Sequence, residues 1–173
     1  MPTSTVTRDD QRANVYRAED DWAGQLDAAR RGARFARIGG SDILLPAERR
    51  FGTLAAAAAY ATDVVTLPQV GAAVGAVGPP ALRRRRGVAK AHWEPPGVIA
   101  LPVPTYGEPW ALRESVLLHE LAHHVGGVTR LAVGHAPPYP AVMLLLVAAV
   151  LGPHAELALR IHYGRHHVKV GAL

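Results

Sequence analysis

The stretch Ser115 to Gly127, SVLLHELAHHVGG, constrains the fold more than any other part of the chain. It carries His119, Glu120 and His123 in the order H-E-x-x-H, inside a run from Trp110 to Val125 that reads as one helix. Pro109 suits the first helical position, Gly126 and Gly127 suit the C-terminal stop, and nothing between breaks it. At about 100° per residue, His119 and His123 differ by about 40°, so both imidazoles leave one face a turn apart and can share a metal ion. Glu120 projects beside them, offset from the two ligands, which suits it to hold a water at the metal and take its proton. Leu112, Leu117, Leu118, Leu121 and Val125 supply apolar surface on another side. The rest of the chain reads as support for this helix.

Composition does not produce the pattern by accident. With 9 His and 7 Glu in 173 residues, about 0.02 occurrences are expected by chance. At this length, with 49% hydrophobic residues, the chain predicts one domain over residues 1–173, with Met1 to Thr7 disordered. Cysteine is absent, which excludes disulfides, thiolate metal sites and cysteine nucleophiles, so any metal site must use His, Asp or Glu. The N-terminus lacks the apolar core of a secretory signal, and the expectation is a cytoplasmic protein. The most apolar run, Ala141 to Leu151, is about half of what a membrane span needs and reads as a buried helix. The net charge of +5 raises the question of a nucleic-acid partner. Much of that charge is one run, Arg83 to Arg86, which after Gly78, Pro79 and Pro80 reads as a solvated loop, with phosphate docking as the alternative.

Along the chain, Arg8 to Arg30 places Val15, Tyr16, Trp22 and Leu26 at the spacing of an amphipathic packing helix, with Gly24 a weak point. Phe35 to Leu45 breaks at Gly39 and Gly40 into two short strands. Thr53 can cap an alanine-rich helix from Leu54 to about Leu67, ended by Pro68, and Gln69 to Pro80 reads as a mobile connection. Val88 to Trp93 and Gly97 to Val103 read as strands separated by Glu94, Pro95 and Pro96; such a strand beside the motif helix could take an extended peptide by strand addition. Two helices are expected downstream, from Tyr139 or Pro140 to about Leu151 and from Ala155 to Tyr163. Eight of the nine histidines fall between His119 and His167. Of these, His124, His154, His162, His166 and His167 read as surface or supporting residues, and the tail pair His166 and His167 as no more than an adventitious metal binder.

A third ligand can come from two places. Eleven residues separate His123 from His135, and Gly126, Gly127 and Gly134 let the chain leave the helix and return beside it. Glu156 follows after thirty-two residues, on a later helix.

HELAHH on a helix followed by GHAPPYPAVM resembles the zincin metallopeptidases, above all the small SprT-like type, in which a His-containing GH segment opens the next helix. RDDQRANVYRAED, ERRF and WALRESVLLHELAHH also look like a family of actinobacterial metallohydrolases of about this length. The resemblance implies a compact zincin-like α+β domain, with the active-site helix packed on a small mixed sheet and further helices. It implies Zn2+ as cofactor and a peptide or protein as substrate. It favours His135 as third ligand, leaving Glu156 to orient an imidazole; the alternative follows the thermolysin-like zincins, whose later helix delivers a glutamate. Ala136 and Pro137 after the histidine depart from the SprT-like pattern. The expected function is zinc-dependent hydrolysis with Glu120 as general base and Tyr139, His154, His162 or Tyr163 as oxyanion donor. A nucleic-acid-associated protein docking through Arg83 to Arg86, or a binding protein stabilised by a non-catalytic metal, are the alternatives.

Overall fold

The computed structural model describes residues 9–87, 90–104, 109–132 and 134–173. In chain order these form α1 (Arg12–Arg30), β1 (Phe35–Ile38), β2 (Ser41–Leu44), α2 (Leu54–Val65), α3 (Pro68–Val74), β3 (Ala81–Arg85), β4 (His92–Glu94), β5 (Val98–Pro102), α4 (Glu114–Val128), α5 (Pro138–Leu151) and α6 (Pro153–Arg165). The expectation of disorder over Met1 to Thr7 lies outside the described residues, as do Val88 and Ala89 of one expected strand.

The architecture is α+β. β5 is the middle strand of a small mixed sheet, parallel to β3 and antiparallel to β4, and α4 packs against it. α5 lies against α4, α6 against α5, and α1 against α6. One hydrophobic cluster runs through these layers; its fully buried members include Trp22, Leu26, Ile99, Leu117, Leu118, Leu121 and Leu159. Each such side chain contributes about 1.5 to 3 kcal/mol. Among the described residues, no helix is long and apolar enough to cross a membrane. β1 and β2 form a separate hairpin, turned by Gly39 and Gly40 at φ 58° and 86°, a left-handed pair of the kind two-residue hairpin turns require.

Several local expectations are corrected. Pro68 does end α2, but it also occupies the first turn of α3, where its missing N–H costs nothing, so part of the expected connection from Gln69 to Pro80 is helical. The arginine run is not a loop: Ala81–Arg85 pairs in register with Val98–Pro102. The motif helix starts at Glu114 instead of Trp110; Trp110–Leu112 is a separate 3-10 turn and Arg113 is extended. The cause is a neighbouring segment. Phe51 N–H donates to Leu112 O and Glu114 N–H to Arg49 O, which pulls residues 112–114 into a bridge and out of the helix. Nor do Gly126 and Gly127 stop the helix, which runs on to Val128. They let neighbours approach: a Cβ on Gly127 would overlap the Trp93 ring, and one on Gly126 would press on Ala132.

The same bridge anchors the start of α4. Glu48 receives the Ser115 amide and the Arg113 guanidinium, a carboxylate at a helix N-terminus that Arg113, as N-cap, cannot itself supply. Glu114, wholly buried, accepts from the Arg49 guanidinium at 2.6 Å, the Arg49 amide at 2.8 Å and the Tyr60 hydroxyl at 2.6 Å. Glu114→Gln keeps the volume but turns an amide N–H2 toward these donors. It should cost about 2 to 3 kcal/mol and lower the thermal midpoint by roughly 4 to 12 °C, read by circular dichroism.

Candidate metal centre

α4 presents His119 and His123 one turn apart, and the loop before α5 returns His135 to them. The ring centroids lie 4.9 Å apart for His119 and His123, 5.4 Å for His119 and His135, and 4.7 Å for His123 and His135. One ligand nitrogen from each lies within 4.8 Å of the others. Glu156 is elsewhere. It accepts from Arg160 on the exposed side of α6 and is absent from the imidazole group, so it neither joins the cluster nor orients a ring.

The rings are held by residues sequence reasoning did not assign. Glu19 of α1, in the expected packing helix, places Oε2 2.5 Å from His119 Nδ1. The Tyr139 hydroxyl lies 2.7 Å from the same nitrogen and donates to Glu19 Oε1, which also accepts from the Tyr163 hydroxyl at 2.6 Å. Asp9 does the same for His135: Oδ2 lies 2.8 Å from Nδ1, and Oδ1 accepts the His135 amide. Gln11 fixes the loop by donating to the His135 carbonyl at 2.7 Å. With both Nδ1 atoms engaged by carboxylates, Nε2 is the nitrogen left on each ring, and His135 Nε2 is buried without a partner. A carboxylate behind a ligating imidazole is the arrangement that fixes tautomer and ring angle at metal sites. One signal was readable: Glu19 sits four residues after Val15 and three before Trp22, a charge in the apolar stripe.

Protonation follows from burial and charge. Burial, then the neighbouring His119 and His135, push His123 down to about 2, so its ring is neutral and ready to ligate. Burial also lowers His135, with Asp9 opposing. For His119 burial is the largest single influence and lowers the pKa, yet the Glu19 charge and hydrogen bond outweigh it and the net shift is upward. Burial raises Glu120, against which the His119 charge and a Trp93 amide hydrogen bond pull; Glu120 Oε2 is buried with no partner. Three imidazoles, no thiolate and an orphaned nitrogen fit a divalent transition ion.

Beside the cluster lies an open cleft of about 530 Å3, with His119 and Glu120 in its wall and Tyr16, Lys90, Trp110 and Val116 around them. Tyr16 stacks on His119 at 5.2 Å between centroids. None of the four expected oxyanion donors lines this cleft: Tyr139 and Tyr163 serve Glu19, His162 bonds Gln25, and His154 lines a separate pocket near Arg34. The other supporting histidine, His124, is buried, accepting from the Trp93 indole and donating to the Gly78 carbonyl, and so ties the sheet to α4.

Comparisons of the chain with protein-family models, with curated proteins and with solved structures each return no match.

Calorimetric titration with a divalent transition metal should lose stoichiometric high-affinity binding at this cluster in His119→Ala, His123→Ala or His135→Ala and leave it unchanged in Glu156→Ala. Glu19→Gln should weaken it about 10- to 100-fold without abolishing it. A proton competes with the metal for His119, and Glu19 holds that ring above its ordinary 6.5, so affinity should already be falling as the pH drops toward that value. Glu19→Gln should move the onset of that fall to lower pH.

Proposed function

We propose that the protein is a zinc-dependent hydrolase, specifically a metallopeptidase, with zinc held by His119, His123 and His135 and Glu120 as general base. The observation that carries this is a pair of buried atoms without hydrogen-bond partners: His135 Nε2 in the imidazole cluster and Glu120 Oε2 in a residue of the adjoining cleft wall. The first suits a cation and the second a proton. Zinc bound there supplies Lewis acidity and brings the pKa of a water toward about 7. Glu120 takes the proton of the attacking water and returns it to the leaving amine. Its burial raises its proton affinity and so makes the ionised carboxylate the stronger base. Tyr16, with the Arg12 guanidinium 5.5 Å from its ring centre, is the cleft residue suited to stabilise an oxyanion.

The cleft supports a peptide substrate. Its volume takes a few residues, its walls at Trp110, Val116 and Ala91 are apolar, and Lys90 and Asp20 offer charges of both signs. Among the described residues β4 is an edge strand beside α4, the position that strand addition uses. The likeness of HELAHH and GHAPPYPAVM to SprT-like metallopeptidases points the same way. Docking of nucleic acid through Arg83 to Arg86 has less behind it, because Arg83 is paired with Glu94 and Arg85 donates to the Lys90 carbonyl beside His92.

A peptide-library digest read by mass spectrometry tests the proposal. Glu120→Gln should lower turnover by about 10²- to 10⁴-fold while zinc stoichiometry stays at the wild-type value. Tyr16→Phe should lower kcat by about 10²- to 10³-fold with little change in KM. Wild-type hydrolysis by the Glu120 variant would remove the general base from the proposal.

A further inference from the structure

His162 and His166 stand one turn apart at the end of α6, with Asp21 of α1 facing both. Asp21 Oδ2 lies 2.7 Å from His166 Nε2 and 4.0 Å from His162 Nδ1, and one ligand atom from each of the three lies within 4.8 Å of the others. His162 is only 4% exposed, and its Nδ1 is buried with no hydrogen-bond partner. The other ring nitrogen is engaged: Nε2 lies 3.0 Å from Gln25 Oε1, an oxygen that only accepts. Nε2 therefore carries the proton of the neutral ring, and Nδ1 turns a lone pair toward a carboxylate. Asp21 Oδ2 already accepts from His166 Nε2, but the buried Nδ1 lone pair of His162, 4.0 Å away, has no donor; a cation that takes the place of the His166 proton satisfies all three atoms.

We propose that Asp21, His162 and His166 form a second metal site, separate from the His119, His123 and His135 cluster, that takes a divalent ion of the zinc type. Two imidazoles and one carboxylate select such an ion over calcium or magnesium, which prefer all-oxygen shells. The geometry is within reach. Tetrahedral ligands at about 2.0 to 2.1 Å from an ion are about 3.3 Å apart, so the two Asp21 separations change by less than about 1 Å each and the one between the imidazoles, within 4.8 Å, by at most about 1.5 Å. Asp21, with a side chain 57% exposed, has the freedom to make that adjustment. The ion would join α1 to α6. Asp21 is two residues from Glu19, so it would hold in place the helix that orients His119.

Zinc titration of wild type, Asp21→Asn and His166→Gln tests this, with bound metal counted by elemental analysis and affinity measured by chelator competition. Asp21 is exposed and His166 half-buried, and circular dichroism checks that the fold is retained. Wild type should take up about two ions per chain and each variant about one, the second ion's affinity falling by at least about 100-fold. Zinc should also raise the thermal midpoint of wild type further than that of either variant. Equal zinc counts and affinities in all three proteins overturn the proposal, as does a dissociation constant in the millimolar range for the second ion. One ion in wild type and none in the variants upholds this site and instead removes the metal from the His119 cluster, so the two readings fail separately.

Discussion

A buried carboxylate, that of Glu19, holds the centre of the molecule together. Removing an ionised group from water is costly unless its oxygens are satisfied, and here both are: one by the His119 ring and the other by the hydroxyls of Tyr139 and Tyr163. These partners come from α4, α5 and α6, and Glu19 itself from α1, so one side chain fixes the relative setting of four helices. The requirement runs both ways. His119 needs a partner on Nδ1 to present Nε2 to the other imidazoles, and Glu19 needs donors to be buried at all. Packing of the leucine face of α4 sets the helix in the core; the carboxylate sets the ring.

Much of the site was legible in the sequence because its information is local. The spacing of His119, Glu120 and His123 on one helix fixes their mutual placement, and the glycines around the next loop allow His135 to return. The α+β class, which the resemblance implied, is the class observed, and segments such as the hairpin at Gly39 and Gly40 and the helix capped by Thr53 match their local patterns. What was missed is what depends on partners far along the chain. Glu19 and Asp9 are 100 and 126 residues from the imidazoles they hold, and nothing near them in sequence says so. The arginine run conceals a strand because its side chains are mostly exposed while its backbone pairs with β5, and charge pattern reports only the former. The late start of α4 has the same origin: residues 112–114 have a helical sequence and a bridge partner at residues 49–51.

Glycine at 127 illustrates how packing can overrule a local rule. Two glycines after a helical pattern signal a stop, yet here they remain helical so that the Trp93 ring and Ala132 can close on α4. The close approach brings β4 against the helix, and with it the indole that bonds His124.

The Gln11 side chain gives the third imidazole a history as well as a position. It donates to the His135 carbonyl and exchanges hydrogen bonds with the backbone of Lys169, while the Gly171 amide bonds the Pro137 carbonyl, so residues 169 and 171 brace the loop that carries His135. Those residues leave the ribosome after all three imidazoles. A nascent chain can therefore expose His119, His123 and His135 while the brace around the third is still unmade, and the cluster reaches its final geometry only late in synthesis.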